Sequence, residues 1–164
     1  MTTTTSPILP AELIHGPIVV GVDEASTAQR PFMTALDVAQ RHGNELIAVS
    51  AYEPLHHGEL RMARREVPPD MAWRLGPDAA VQALHEDLRE QAAAAGVTLE
   101  CIAREGAPAK VIVDVATAKQ AGLVIVGNAA TGGRRRLRGR VPDEISRHAP
   151  CSVLIVEPDR ALAA

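Results

Sequence analysis

Along this chain, short and nearly unbroken aliphatic runs alternate with longer stretches in which apolar residues recur every three or four positions. The first run, Pro17-Ile18-Val19-Val20-Gly21-Val22-Asp23, has no polar face. That pattern predicts a strand covered on both sides, as in a parallel sheet. Phe32, Ala35, Leu36 and Ala39 follow at i, i+3, i+4 and i+7, which predicts an amphipathic helix. Pro31 suits its first turn, and Gly43 suits its end. A second strand is predicted over Glu45–Tyr52, ending before Pro54.

Residues 53–77 show no clear period and read as an excursion loop, with room for a short helix around Leu60 to Arg65. A long helix is predicted from about Pro77 to Ala95, with Val81, Leu84, Leu88 and Ala92 on one face and Gly96 as its cap. Val97–Ala103 alternates with period two, which suits a more exposed strand nearer a sheet edge. Pro108–Gln120 contains Val111-Ile112-Val113, a strand-like triplet. Pro108 at the start, Lys119 in the last turn and Gly122 as the cap favour a helix instead. Leu123–Gly127 predicts a fourth buried strand, Pro142–His148 a short helix and Ser152–Val156 a last strand.

The resulting order, β-α-β-α-β-α-β-α-β, predicts an α/β domain: a five-stranded parallel sheet between two helical layers, with right-handed crossovers. In such sheets ligands sit beyond the carboxyl ends of the strands, at the switch in strand order. Here that points to the segments after Val22, Val49 and Val126.

Length and composition narrow the class. A chain of 164 residues suits one domain, divided as a leader (1–16), the domain itself (17–158) and a tail (159–164). Aromatics make up only 2%, so the core must rest on Val, Ile, Leu and Ala. A net charge of −3 gives no global attraction for nucleic acid or an anionic membrane. No apolar run approaches the length of a membrane helix, and Met1–Ser6 lacks the form of a secretory signal. Cys101 and Cys151 are too far apart for a metal-ligand pair and read as buried free thiols in a reducing cytoplasm. His56, His57 and His85 show no metal spacing and read as surface histidines. Trp73 reads as an apolar anchor of the excursion loop. The sequence supports no Ser-His-Asp or Cys-His arrangement and no pair of catalytic acids, so no enzyme activity is expected.

Chemistry concentrates after the fourth strand, in Gly127-Asn128-Ala129-Ala130-Thr131-Gly132-Gly133, followed by five arginines within residues 134–140. Glycines between a strand and a helix let backbone N–H groups converge, and arginines suit phosphate oxygens. A phosphate cradle and a solvated basic loop are both open readings. Neither G-x-x-x-x-G-K-[ST] nor G-x-G-x-x-G occurs.

Four pieces in order resemble the universal stress protein family over about residues 16–157. They are the first strand ending at Asp23, Glu105-Gly106-Ala107-Pro108-Ala109, Val124-Ile125-Val126-Gly127, and His148-Ala149-Pro150-Cys151-Ser152-Val153 with the strand that follows. The resemblance implies an adenine-nucleotide alpha-hydrolase-like fold with strand order 3-2-1-4-5. It also implies a stress-response regulator binding ATP or AMP, with magnesium only where ATP is bound. A homodimer through the last strand and an unidentified protein partner are further expectations.

Nucleotide-binding members carry G-x-x-G, nine residues, then G-[ST]. Gly127 matches the first glycine and Gly139 the third, but Ala130 replaces the second and eight residues separate it from Gly139. Arg140 replaces the hydroxyl residue, and Glu24-Ala25 replaces the Gly-Ser of the first turn. The implied nucleotide contacts are Val22, Asp23, Ser50, Ala51, Gly127, Asn128, Ala130, Gly132, Gly139, Arg140 and Val141. Asp23 would face the ribose, and the Ser50 and Ala51 backbone the adenine. Asp23 as a helix cap or turn residue is the plain alternative. For the whole molecule, the alternative is a nucleotide-free dimeric interaction protein whose site has decayed.

Overall fold

A computed structural model describes residues 14–23, 29–52, 77–128 and 140–157, with isolated positions at 65 and 68. The excursion loop, Trp73, His56 and His57 lie outside the described residues. So do Ala130, Gly132, Gly139 and the tail. The elements run β1 (Ile18–Gly21), α1 (Gln29–His42), β2 (Leu46–Tyr52), α2 (Pro77–Ala94), β3 (Leu99–Glu105), α3 (Pro108–Ala118), β4 (Leu123–Gly127), α4 (Arg140–His148) and β5 (Ser152–Val156).

The strands form one sheet in the order β3-β2-β1-β4-β5, and every neighbouring pair is parallel. β1 lies at the centre because its run is apolar on both faces: Ile18, Val19 and Val20 are fully buried. Alternation along the strands divides the core into two layers. Ile18, Val20, Leu46, Ala48, Leu123 and Ile125 meet Phe32, Ala35, Leu36 and Ala39 of α1 and Leu88 and Ala92 of α2. Val19, Ile47, Val49, Val124 and Val126 meet Val111, Ile112 and Val115 of α3 and Ile145 of α4. Each fully buried aliphatic side chain stabilises this sandwich by roughly 1.5–3 kcal/mol. The predicted strand-like triplet Val111-Ile112-Val113 is helical because α3 packs flat on the sheet and buries Val111 and Ile112 together.

Three local expectations are corrected. The strand predicted from Val97 begins at Leu99 and runs on to Glu105, paired only with β2 at the sheet edge. α3, predicted over Pro108–Gln120 with Gly122 as its cap, ends at Ala118 with Lys119 as the cap, and Gln120 takes the left-handed conformation at φ 52°. Gly122 is needed for another reason: a Cβ there would lie 2.4 Å from the His15 carbonyl oxygen. Residues 14–16, assigned to the leader, are tied to the domain by their backbone, with His15 and Gly16 exposed. Ile14 is buried, and Asn44 Nδ2 donates to the carbonyls of Ile14 and Gly16 at 3.3 and 2.9 Å.

Candidate functional site

Strand order reverses between β1 and β4: from β1 the chain builds outward to β2 and β3, then returns to add β4 and β5 on the other side. The carboxyl ends of β1, β2 and β4 therefore surround one gap. Register places Val22 and Asp23, Ser50 and Ala51, and Gly127 and Asn128 along this rim. Gly21 pairs with Val49, and Val20 with Ile125. Arg140 and Val141 open α4, which packs on α3 and β5, and Val141 is half-buried against the second core layer.

The backbone groups of these residues are not equally available. The amide of Val22 donates to the Val49 carbonyl at 2.9 Å, and that of Asn128 to the Val156 carbonyl at 2.9 Å. Both N–H donors are thereby engaged within the sheet. Peptide groups along a strand alternate in direction. Leu46 donates to Thr98 on the β3 side, whereas Val49 accepts from Val22 on the β1 side. By that alternation Ser50 and Tyr52 face β3, and the Gly106 amide indeed donates to Tyr52 at 3.0 Å. Ala51 faces the side on which β1 has already ended at Gly21. Of the expected pair, Ala51 presents its backbone to the gap and Ser50 does not.

Ser50 instead turns its side chain into the core, where Oγ lies 2.9 Å from His85 Nε2 of α2. Each residue is only 2% exposed. His85 is thus no surface histidine: it sits four residues after Val81 and three before Leu88, on the same buried helix face. Its helical spacing was readable in the sequence, but its partner was not. Burial, reinforced by the neighbouring Arg89 guanidinium, holds the His85 pKa below its ordinary 6.5. With both groups sealed in the core there is no space for a substrate at the serine, so the pair is a structural hydrogen bond rather than a nucleophile and its base.

Gly127 fits the rim for a steric reason. A Cβ at this position would stand 2.9 Å from Pro31 Cγ in the first turn of α1, so the bare glycine lets β4 and α1 close together. Asn128 is fastened sideways, its Nδ2 donating to Glu157 Oε1 at 2.9 Å. Arg30 Nη1 donates to the Glu157 carbonyl at 3.0 Å. The end of β5 is thereby joined to both β4 and α1.

Other candidates recede. Cys101 and Cys151 are free but only half-buried, not sealed in the core as expected. Burial pushes both thiols up, with Glu100 adding to the rise at Cys101 and Arg89 opposing it. Both therefore stay protonated and unreactive at neutral pH. No group of three or more His, Cys, Asp or Glu among the described residues could hold a metal ion. No described helix is long and apolar enough to cross a membrane.

Comparison with known proteins agrees with this architecture. The model of the universal stress protein family matches residues 15–157. A universal stress protein of Mycobacterium tuberculosis is 33% identical over 141 residues, covering 85% of this chain and 94% of that protein. A solved universal stress protein in complex with cAMP superimposes with a TM-score of 0.64 at 28% identity, covering 87% of this chain and 97% of the other. An AMP-bound family member from Arabidopsis thaliana shares the fold, with a TM-score of 0.67, 18% identity and coverage of 89% and 94%.

Proposed function

The chain belongs to the universal stress protein family, and from that premise we propose that it is a stress-response regulator that takes an adenine nucleotide in the gap between the carboxyl ends of β1 and β4. One observation carries this reading. β1 stops at Gly21 while β2 runs on to Tyr52, which aims the peptide groups of Ala51 across the gap. A backbone N–H and C=O side by side suit the edge of an adenine ring, and Asp23 at the end of β1 suits a ribose hydroxyl. The solved relative carrying cAMP, at 28% identity, supports a cyclic or open adenosine phosphate as the ligand class. The arginines of residues 134–140 would meet the phosphate. The protein acts by binding, in the cytoplasm, and magnesium enters only with ATP.

Supernatant from the denatured protein, read near 260 nm and by mass spectrometry, tests for co-purified adenine compounds. Thermal-shift titration with ATP, AMP and cAMP completes the test. A ligand at 100 times its Kd adds about 2.7 kcal/mol of stability, and Asp23→Asn should weaken that effect. No shift with any of the three would sink the reading.

A second reading is a nucleotide-free dimeric interaction protein. It is favoured by the commitment of the Val22 and Asn128 amides to the sheet and by Ala130 and Arg140 in the places of a glycine and a hydroxyl residue. In either case the dimer would form through β5, an edge strand whose Ile155 is 37% exposed. Pairing with a second copy across a two-fold axis would cover both the strand edge and that side chain. Sedimentation at micromolar concentration should show a dimer, and Ile155→Arg should shift it toward monomer.

A further inference from the structure

Ser50 and His85 are the only buried polar or charged side chains among the described residues, and they bond each other. A buried pair of this kind holds its two elements in one relative position, because separating them leaves two polar groups without water. The elements are α2 and the last turnless residues of β2. Ser50 is joined by one peptide to Ala51, whose backbone faces the gap. Any movement of Ser50 is passed on to Ala51, since the intervening peptide is planar and its length fixed.

We propose that the His85–Ser50 hydrogen bond sets where β2 holds Ala51 against the gap, and that protonation of His85 resets that position, lowering the affinity of the site for an adenine nucleotide in acid. The second half rests on the nucleotide reading above; the first does not. A neutral imidazole can accept a hydrogen bond at one ring nitrogen and donate at the other, whereas an imidazolium only donates. The charged ring also needs a counter-charge in the core, and the described residues around it offer none. On α2 the nearby charge is Arg89, of like sign. On β3, Cys101 Sγ lies 3.9 Å from the His85 carbonyl oxygen, and its thiol stays neutral. Glu100 is held by Lys119 at 2.8 Å. On β2 the facing group is the Ser50 hydroxyl itself. On α1, Asp37 and Arg41 bond each other at the surface at 2.9 Å. Charging the ring therefore drives it toward water and loosens the clasp on β2.

The test uses the full chain in two arms. In ligand-free protein, the His85 ring nitrogens are followed by long-range proton–nitrogen NMR between pH 7.5 and 5, together with the backbone amides of Ser50, Ala51, Tyr52 and Gly106. Those four amides should follow the ring's own titration curve. In His85→Gln, which keeps a side-chain donor and acceptor, their response should vanish while the spectrum stays that of a folded protein. Ser50→Ala provides the second variant: His85 should titrate at a different pH, uncoupled from Ala51. In the binding arm the probe is cAMP, whose phosphodiester does not titrate in this range. Its affinity for the unaltered protein should fall roughly fivefold or more on acidification, and the profile of His85→Gln should be flat. Amides that ignore the ring, or that move equally in His85→Gln, would overturn the proposal. So would a pH profile for cAMP that His85→Gln leaves unchanged. Co-titration without binding of cAMP at any pH would uphold the clasp and defeat the nucleotide reading alone.

Discussion

At the carboxyl end of β2, Ser50 directs a hydroxyl into the core toward His85; at the carboxyl end of β4, across β1, Gly127 presents no side chain at all and α1 closes against it. Both strand ends border the same gap. Beyond its ladder with β3, the β2 end is held by one buried side-chain hydrogen bond, which under our proposal makes its position respond to a protonation state. The β4 end is held by steric fit and by exposed polar ties to the end of β5, with no buried polar or charged side chain among its described residues. Under that proposal the gap has one responsive side and one passive side.

The contrast can be broken most severely at His85. His85→Ala opens a void and leaves the Ser50 hydroxyl unpaired, and should cost about 2–4 kcal/mol in urea denaturation. Gly127→Val tests the other side: its side chain must push against Pro31, with an expected loss of about 1–3 kcal/mol. Pro31→Ala removes the atom in the way. The double variant should therefore be less destabilised than the sum of the two singles. For the same reason a bulky residue at Gly127 is a poor probe of ligand binding, because it disturbs α1 whether or not a ligand is present.

The pH dependence sharpens the comparison further. The folded pKa of His85 lies below 6.5, so the unfolded chain binds the proton more readily. The stability due to the neutral ring is complete above about 6.5. It declines as pH falls from there toward the depressed folded value. Thermal unfolding followed between pH 8 and 5 should show this decline in the unaltered protein and a flatter curve in His85→Leu. Gly127→Val should shift the whole curve without changing its shape. The smallest effect belongs to Asn128→Ala, whose lost bond to Glu157 is exposed. That change should stay within about 0.5 kcal/mol.

Much of the scaffold was readable from local pattern. Phe32, Ala35, Leu36 and Ala39 are all buried on one face of α1 as their spacing requires, and the alternating third strand does lie at the edge. The site was readable only as a set of strand ends. Val22 and Asn128 were named as nucleotide contacts, and nothing in their sequence neighbourhood reveals that the sheet engages their amides. Gly122 looked like a helix cap because glycine commonly ends helices. Its real constraint is the His15 backbone lying against it, a contact between segments far apart in the chain.

The sequence alone determined which residues turn inward and in what order the elements follow, because periodicity is a property each segment carries by itself. It led to His85 being read as a surface histidine, although the position falls on the buried stripe of its helix. Only the tertiary structure decided what His85 meets there. A hydrogen bond between residues 35 positions apart depends on the register of β2 and on how α2 crosses it. Those quantities are fixed by the packing of the whole sheet, not by any one segment.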